Sequence, residues 1–217
     1  MARASRAQMN QNRLAIEAAS ARLFREQGLK GISVDELMAA AGLTHGGFYG
    51  HFESKDALAA IACANAFEQS AARWRERSQG RPDPSAALKA IVDAYLSLRS
   101  RDDPGDSCPA TALAADVARE PAGKPIHETF TAGIQALLGV LQSLGEPGEA
   151  GRQRALVQLS TLVGALLLAR ATRADGISGD FLEAARAEIV SPVKGPLAEG
   201  GLEWMEGAPP RVRRRSR

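Results

Sequence analysis

Between Val34 and Phe52 the chain reads Val-Asp-Glu-Leu-Met-Ala-Ala-Ala-Gly-Leu-Thr-His-Gly-Gly-Phe-Tyr-Gly-His-Phe. The residue types suit contact with a large partner rather than bond-making chemistry. Gly46, Gly47 and Gly50 fall within the expected helix His45–Phe52, where each costs about 1 kcal/mol relative to alanine. A helix selected for stability alone would not contain them. Glycine brings backbone close to another surface, and a nucleic-acid groove is such a surface. Leu37 and Ala41 on one short helix, and Phe48 and Phe52 four apart on the next, give apolar faces that pack across a turn at Gly42, where glycine can take a left-handed conformation. Two short helices around a glycine turn are the grammar of a helix-turn-helix, whose second helix offers its outer face to a major groove.

Local signals define the elements that must hold this segment. Ile16, Ala19, Leu23 and Phe24 mark one face of a helix over Asn10–Gln27, stopped by Gly28. Ser33-Val-Asp-Glu36 is a capping box that opens Val34–Ala41. Thr44 can cap the third helix, and Ser54 a fourth that runs to about Ser78, with Asp56 in its positive first turn. Gly80–Pro84 is a break before a helix over Ser85–Arg99. Asp102–Ser107 reads as a loop, and Pro109 suits the first position of a helix ending near Pro121. Helices over Pro125–Leu144, Pro147–Ala174 and Ser178–Val190 follow. No segment alternates like a strand, so the expectation is an all-α chain of about nine helices.

Residues 12–60 resemble the DNA-binding domain of the TetR family of transcriptional regulators. The resemblance rests on Ala40-Ala41-Gly42-Leu43-Thr44, Phe48-Tyr49-Gly50-His51-Phe52 and Ser54-Lys55-Asp56-Ala57-Leu58. It implies an N-terminal three-helix helix-turn-helix domain followed by a helical ligand-binding and dimerisation domain. Thr44, Tyr49 and Lys55 match positions that hold phosphates in that family, and these contacts position without reading sequence. His45, Gly46, Gly47 and His51 match positions facing the bases. Met38 stands where a small residue is commoner. The reading helix has no Arg, Asn or Gln, so strong bidentate base contacts are missing. The implied partners are an operator in double-stranded DNA, a small-molecule effector and a second copy of the chain; no metal or cofactor is implied.

The expected domains are 1–53 with a basic N-terminal arm (Arg3, Arg6, Arg13), 54–195 for effector binding and dimerisation, and a flexible Arg-rich tail over 196–217. Leu156, Val157, Leu159, Leu162, Val163, Leu166, Leu167 and Leu168 point around more than half of their helix. That is more than one amphipathic face needs. A homodimer interface over about residues 147–190 follows, formed by this helix and the Phe181–Val190 helix, with Leu166 and Leu167 inside it. Leu88, Tyr95, Leu113, Ile126, Phe130, Ile134 and Leu138 are the expected lining of an effector cavity, with Thr111, His127, Thr129 and Thr131 as its polar groups. Cys108, just before Pro109, is a candidate sensor, because free N–H groups at a helix start stabilise a thiolate.

Composition limits the alternatives. The 217 residues are 45% hydrophobic and 24% charged, close to the globular average, with 5% aromatics. The longest uncharged apolar stretch, between Arg154 and Arg170, has fifteen residues against the ~20 of a bilayer span, and no signal peptide is legible. A cytoplasmic protein with no membrane partner is expected. Cys63 and Cys108 form neither a disulfide framework nor a metal spacing. Five of the 27 Lys and Arg lie in the last seven residues, leaving 22 against 25 Asp and Glu. The tail therefore suits phosphate binding or simple solubilisation. No enzyme motif appears. The resulting expectation is a repressor released from a palindromic operator by a small molecule or by thiol modification; the alternative is a helical adaptor or a thiol-dependent enzyme built on Cys108.

Overall fold

The computed structural model describes residues 6–191; Arg3 of the basic arm and the tail over 196–217 lie outside them. Among the described residues the chain is all helix, with nine α-helices and two short 3-10 segments. The first three are α1 (Arg6–Gln27), α2 (Val34–Ala40) and α3 (Lys55–Ser78). They are followed by α4 (Pro84–Tyr95), α5 (Leu98–Asp102) and α6 (Pro109–Arg119). The last three are α7 (Pro125–Ser143), α8 (Glu149–Ala171) and α9 (Ile177–Val190).

The boundaries follow local hydrogen-bond chemistry. Ser33 Oγ accepts from the Glu36 amide at 3.2 Å, and the Glu36 carboxylate accepts from the Ser33 amide at 2.7 Å, closing the capping box. After α2, Leu43 N donates to Met38 O and Gly42 N to Ala39 O, each at 2.9 Å, with Gly42 at φ 73°. This is a Schellman stop, which requires a left-handed residue. Ser54 Oγ caps α3 at the Ala57 amide.

Three expectations change. The reading helix is a 3-10 helix over His45–Gly50, not an α-helix to Phe52, and Thr44 holds its N-cap backbone position without a side-chain cap. Its three glycines lower helix propensity, and a short 3-10 turn needs fewer residues to close. The helix expected over Ser85–Arg99 starts at Pro84, capped by Asp83, and breaks after Tyr95. Ser97 Oγ donates to Ala94 O and accepts from the Ser100 amide, so it closes one helix and caps α5. The expected loop over Asp102–Ser107 holds the end of α5 and a 3-10 turn, Pro104–Asp106, capped by Asp103.

One buried cluster runs from Ile16 to Ile189, so the reading head and the rest share a continuous core. Its axis is α3, which packs on α1, α4, α6 and α7. The α3–α7 seam closes at Gly133, where an added Cβ would lie 2.2 Å from Cγ of Phe67. Phe67 meets Phe130 edge to face at 5.3 Å. Helix α8 has the length and mean hydropathy of a membrane crossing, yet it buries Leu159, Leu162, Ala165, Leu166 and Ala169 inside the protein. Leu166 is fully buried, so it belongs to this chain's own core and not to an interface. Val157, Leu167 and Leu168 are the exposed apolar residues of α8.

Gly133→Ala should force α7 off α3 and lower stability by about 1–3 kcal/mol, the usual cost of overpacking. Gly139→Ala, on the same helix with nothing within 4 Å of the added Cβ, should be neutral or stabilising by up to about 1 kcal/mol. Urea denaturation of the two variants against the wild type checks both.

Candidate nucleic-acid interface

The reading helix is anchored by one residue of its six. Phe48 is fully buried and Phe52 nearly so, their rings 5.8 Å apart. Arg13 on α1 stacks its guanidinium 4.7 Å from the Phe52 ring centre, donates to His51 O at 2.7 Å and pairs with Glu17 at 3.0 Å. Arg13 therefore braces the helix from α1, a role that its place in a basic arm did not reveal.

The expected contact residues share one exposed surface for the most part. Thr44, His45, Gly46, Gly47, Tyr49 and Gly50 are all exposed. Tyr49 is 70% exposed, standing edge-on to Phe48. The Thr44 hydroxyl makes no cap bond and stays available to a partner. His45 Nδ1 contacts the Asp35 carboxylate of α2, which fixes the imidazole at the start of the reading helix. His51 is half-buried at the other end. Lys55 differs: its Nζ donates to Ile32 O, and burial lowers its pKa. In this arrangement it ties the start of α3 to the α1–α2 connection.

The glycines make the strongest geometric statement. An added Cβ at Gly46 or Gly50 meets nothing within 4 Å, and at Gly47 only the Met38 methyl at 3.6 Å, an ordinary contact. None of the three has a positive φ. Neither packing nor backbone geometry inside the molecule demands glycine there. Met38, large for its position, fits beneath Gly47 and is buried.

The expected sensor and cavity residues separate. Tyr95 and Cys108 line a cleft of about 520 Å³ with Ser70, Arg73, Trp74, Arg77, Arg99 and Asp106 among its walls. His127 instead donates to Glu120 O or Pro121 O, and Phe130 packs on Phe67. Leu113, Ile126 and Leu138 are buried core, so the cleft is not the apolar chamber expected from them. Its arginines were missed because α3 and α5 bring them together across more than twenty residues; the sequence signal was Arg73 and Trp74 with Arg77 one turn on. The surroundings of Cys108 oppose a thiolate. Burial pushes its thiol up, outweighing the Tyr95 hydroxyl and the Ala110 and Thr111 amides that favour the anion. Cys63 is likewise pushed up, to about 12.

An exposed, internally braced second helix on a capped helix-turn-helix defines a DNA-binding module. Residues 16–61 match the family described as bacterial regulatory proteins, tetR family. The N-terminal domain is thus of the tetR family, and the helical fold behind it is shared by solved TetR-family regulators. A TetR transcriptional regulator from Chloroflexus aurantiacus J-10-FL is 25% identical, with a TM-score of 0.71 over 84% of this chain and 93% of that one. Escherichia coli NemR in its reduced form has the same fold, with 22% identity and a TM-score of 0.70 over 82% and 94% of the two chains. The HTH-type transcriptional regulator YerO of Bacillus subtilis (strain 168) is 30% identical over 98 residues. That match covers 44% of this chain and 34% of YerO's length.

Gly46→Ala and Gly50→Ala should leave the fold as stable or up to about 1 kcal/mol more so. Both should weaken binding to target DNA by about tenfold or more, roughly 1.4 kcal/mol. Thermal melts read beside fluorescence anisotropy on labelled DNA separate the two effects.

Proposed function

We propose that the chain is a repressor that binds a palindromic operator as a homodimer and leaves it when a small molecule occupies the cleft. The observation that carries this reading is the bare reading helix, with three glycines that nothing inside the molecule requires. Thr44 and Tyr49 take phosphates, His45 and the exposed glycine backbone lie against base edges, and Arg6 at the start of α1 adds positive charge. Residues 1–53 act as the reading head and 54–195 as the effector and dimerisation part. The protein works in the cytoplasm, as a binding protein rather than an enzyme.

The dimer is supported by a line on α8 spaced four, three and four residues apart, in which Val157 and Leu168 are exposed and Thr161 and Gly164 half-buried, with exposed Leu167 beside it. Residues three and four apart share a helix face, and an unpartnered apolar face of this kind suits a second copy. Two-fold pairing sets two reading helices against half-sites about 34 Å apart. Of the two release routes, small molecule and thiol modification, the burial of Cys108 favours the first.

A gel-shift against DNA upstream of the protein's own coding sequence tests the reading. It should show a dimer-sized complex whose affinity falls steeply with salt as phosphate counterions are released. Equal binding to random DNA at every salt concentration would falsify it. Leu167→Glu with Leu168→Glu should give folded monomers by light scattering, with operator affinity reduced by at least about a hundredfold. Leu166→Glu, in contrast, should unfold the chain by burying a charge.

A further inference from the structure

Resting on the effector reading above, we infer that the cleft between α3 and the α4–α5–α6 region takes an amphipathic monocarboxylate, its apolar body on Trp74 and Tyr95 and its carboxylate on Arg77.

The charges around the cleft do not balance. Asp106 is shared between Arg73 at 3.4 Å and Arg99 at 3.1 Å. Asp103 and Glu26 both take Arg22, at 3.0 and 2.8 Å. Arg77, which lines the cleft, has no carboxylate within ion-pair distance among the described residues, and neither have Arg25 and Arg170 just behind the wall. Arg25 donates to Ser107 O at 2.9 Å, and Arg170 donates to Ser100 O at 2.7 Å and to Ser107 Oγ. Arg170 Nε is buried without any hydrogen-bond partner. Burial pulls both guanidiniums below their usual range, and Asp106 near Arg25 and Asp103 near Arg170 offset it only in part. An anion entering this cleft supplies the missing charge.

The remaining lining narrows the ligand class. Ser97, Ser100 and Ser107 already donate to backbone carbonyls and Ser70 Oγ accepts from Arg73, so the cleft's charged donors are guanidiniums. A guanidinium fork matches the two oxygens of a carboxylate. Asp103 and Asp106 lie on the same wall and repel a doubly charged head group. Trp74 and Tyr95, edge to face at 5.8 Å, give the inner end an aromatic floor. The Tyr95 hydroxyl is occupied by Thr111 at 2.7 Å and is not offered to a ligand. Together these features select one negative charge and an apolar body.

Calorimetric titration of the full chain with benzoate, 2-naphthoate and decanoate, each beside its primary amide, tests the inference. At least one acid should bind about ten- to a hundredfold tighter than its amide, the worth of a charge-assisted bond. Arg77→Gln should cut that preference below about threefold, and Arg75→Gln, on the same helix outside the cleft, should leave it intact. Arg77→Lys, which keeps the charge and loses the fork, serves if the glutamine variant does not fold and should retain only part of the preference. Amides binding as well as acids, tighter binding of 2-naphthylmethylammonium, or no acid binding up to about 10 mM overturns the proposal. So does an unchanged preference in the Arg77 variants. Anisotropy on operator DNA is read in parallel. An acid that binds without releasing DNA sinks the effector reading and leaves the cleft assignment standing, whereas operator binding with no acid preference sinks only this one.

Discussion

A six-residue helix with three glycines cannot hold its own shape in water, since nucleation is unfavourable and each glycine adds to the cost. The burial of Phe48 and Phe52 replaces that missing stability, and the rest of the reading head serves this anchoring. Leu37 and Met38 form the apolar seat on α2, and Ile16 and Phe24 extend it on α1. Arg13 covers the Phe52 ring and ties down the His51 carbonyl, so the helix is held at its centre and its end. The outer face can then dispense with side chains that a self-supporting helix would need. A bare, rigid surface is what close backbone approach to DNA requires.

The same core that anchors the helix connects it to the cleft. Arg25, near the end of α1, is bound to the carbonyl of Ser107 in the cleft wall, and Arg22 reaches Asp103 in the same segment. On the opposite side, Asp116 accepts from the Leu29 amide at 3.2 Å, and Gly28 has no room for a Cβ against that carboxylate. Glu120 holds Lys30 at 3.0 Å and Lys124 at 2.7 Å, while Lys124 also pairs with Asp56 at 3.0 Å. Exposed ion pairs contribute little individually. The buried Arg25 contact is different, because breaking it strands a charge in the core. A ligand that moves Ser107 therefore acts directly on α1, which carries Arg13 and the brace of the reading helix.

Much of this architecture was legible in the chain. The Ser33–Glu36 box, the stops at Gly28 and Gly42, the Ser54 cap and the prolines at helix starts act within four residues, so they can be read without knowing the fold. The helix-turn-helix came from such signals, and its contact residues from the family resemblance. The break after Tyr95 did not, because Ser97 works as a cap only once its neighbours leave the helix. Lys55 was read as a phosphate ligand; the bond that one of its three N–H donors makes to Ile32 O was not legible, because the path of the α1–α2 connection creates it.

The sequence by itself determined the element types and the turn positions, consequences of short-range hydrogen bonding and backbone geometry, and its motifs between Ala40 and Leu58 carried the family resemblance. The tertiary structure decided direction and environment. An all-round apolar helix such as α8 has no preferred side until its neighbours choose one, which put Leu166 inside and Leu168 outside. Cys108 stands at a helix start as expected, but the surrounding packing determines whether amide groups or desolvation governs its thiol, and desolvation wins. The cleft's uncompensated arginines exist only as a spatial sum, since α1, α3, α5 and α8 contribute charges that are far apart in the chain and share one low-dielectric region after folding.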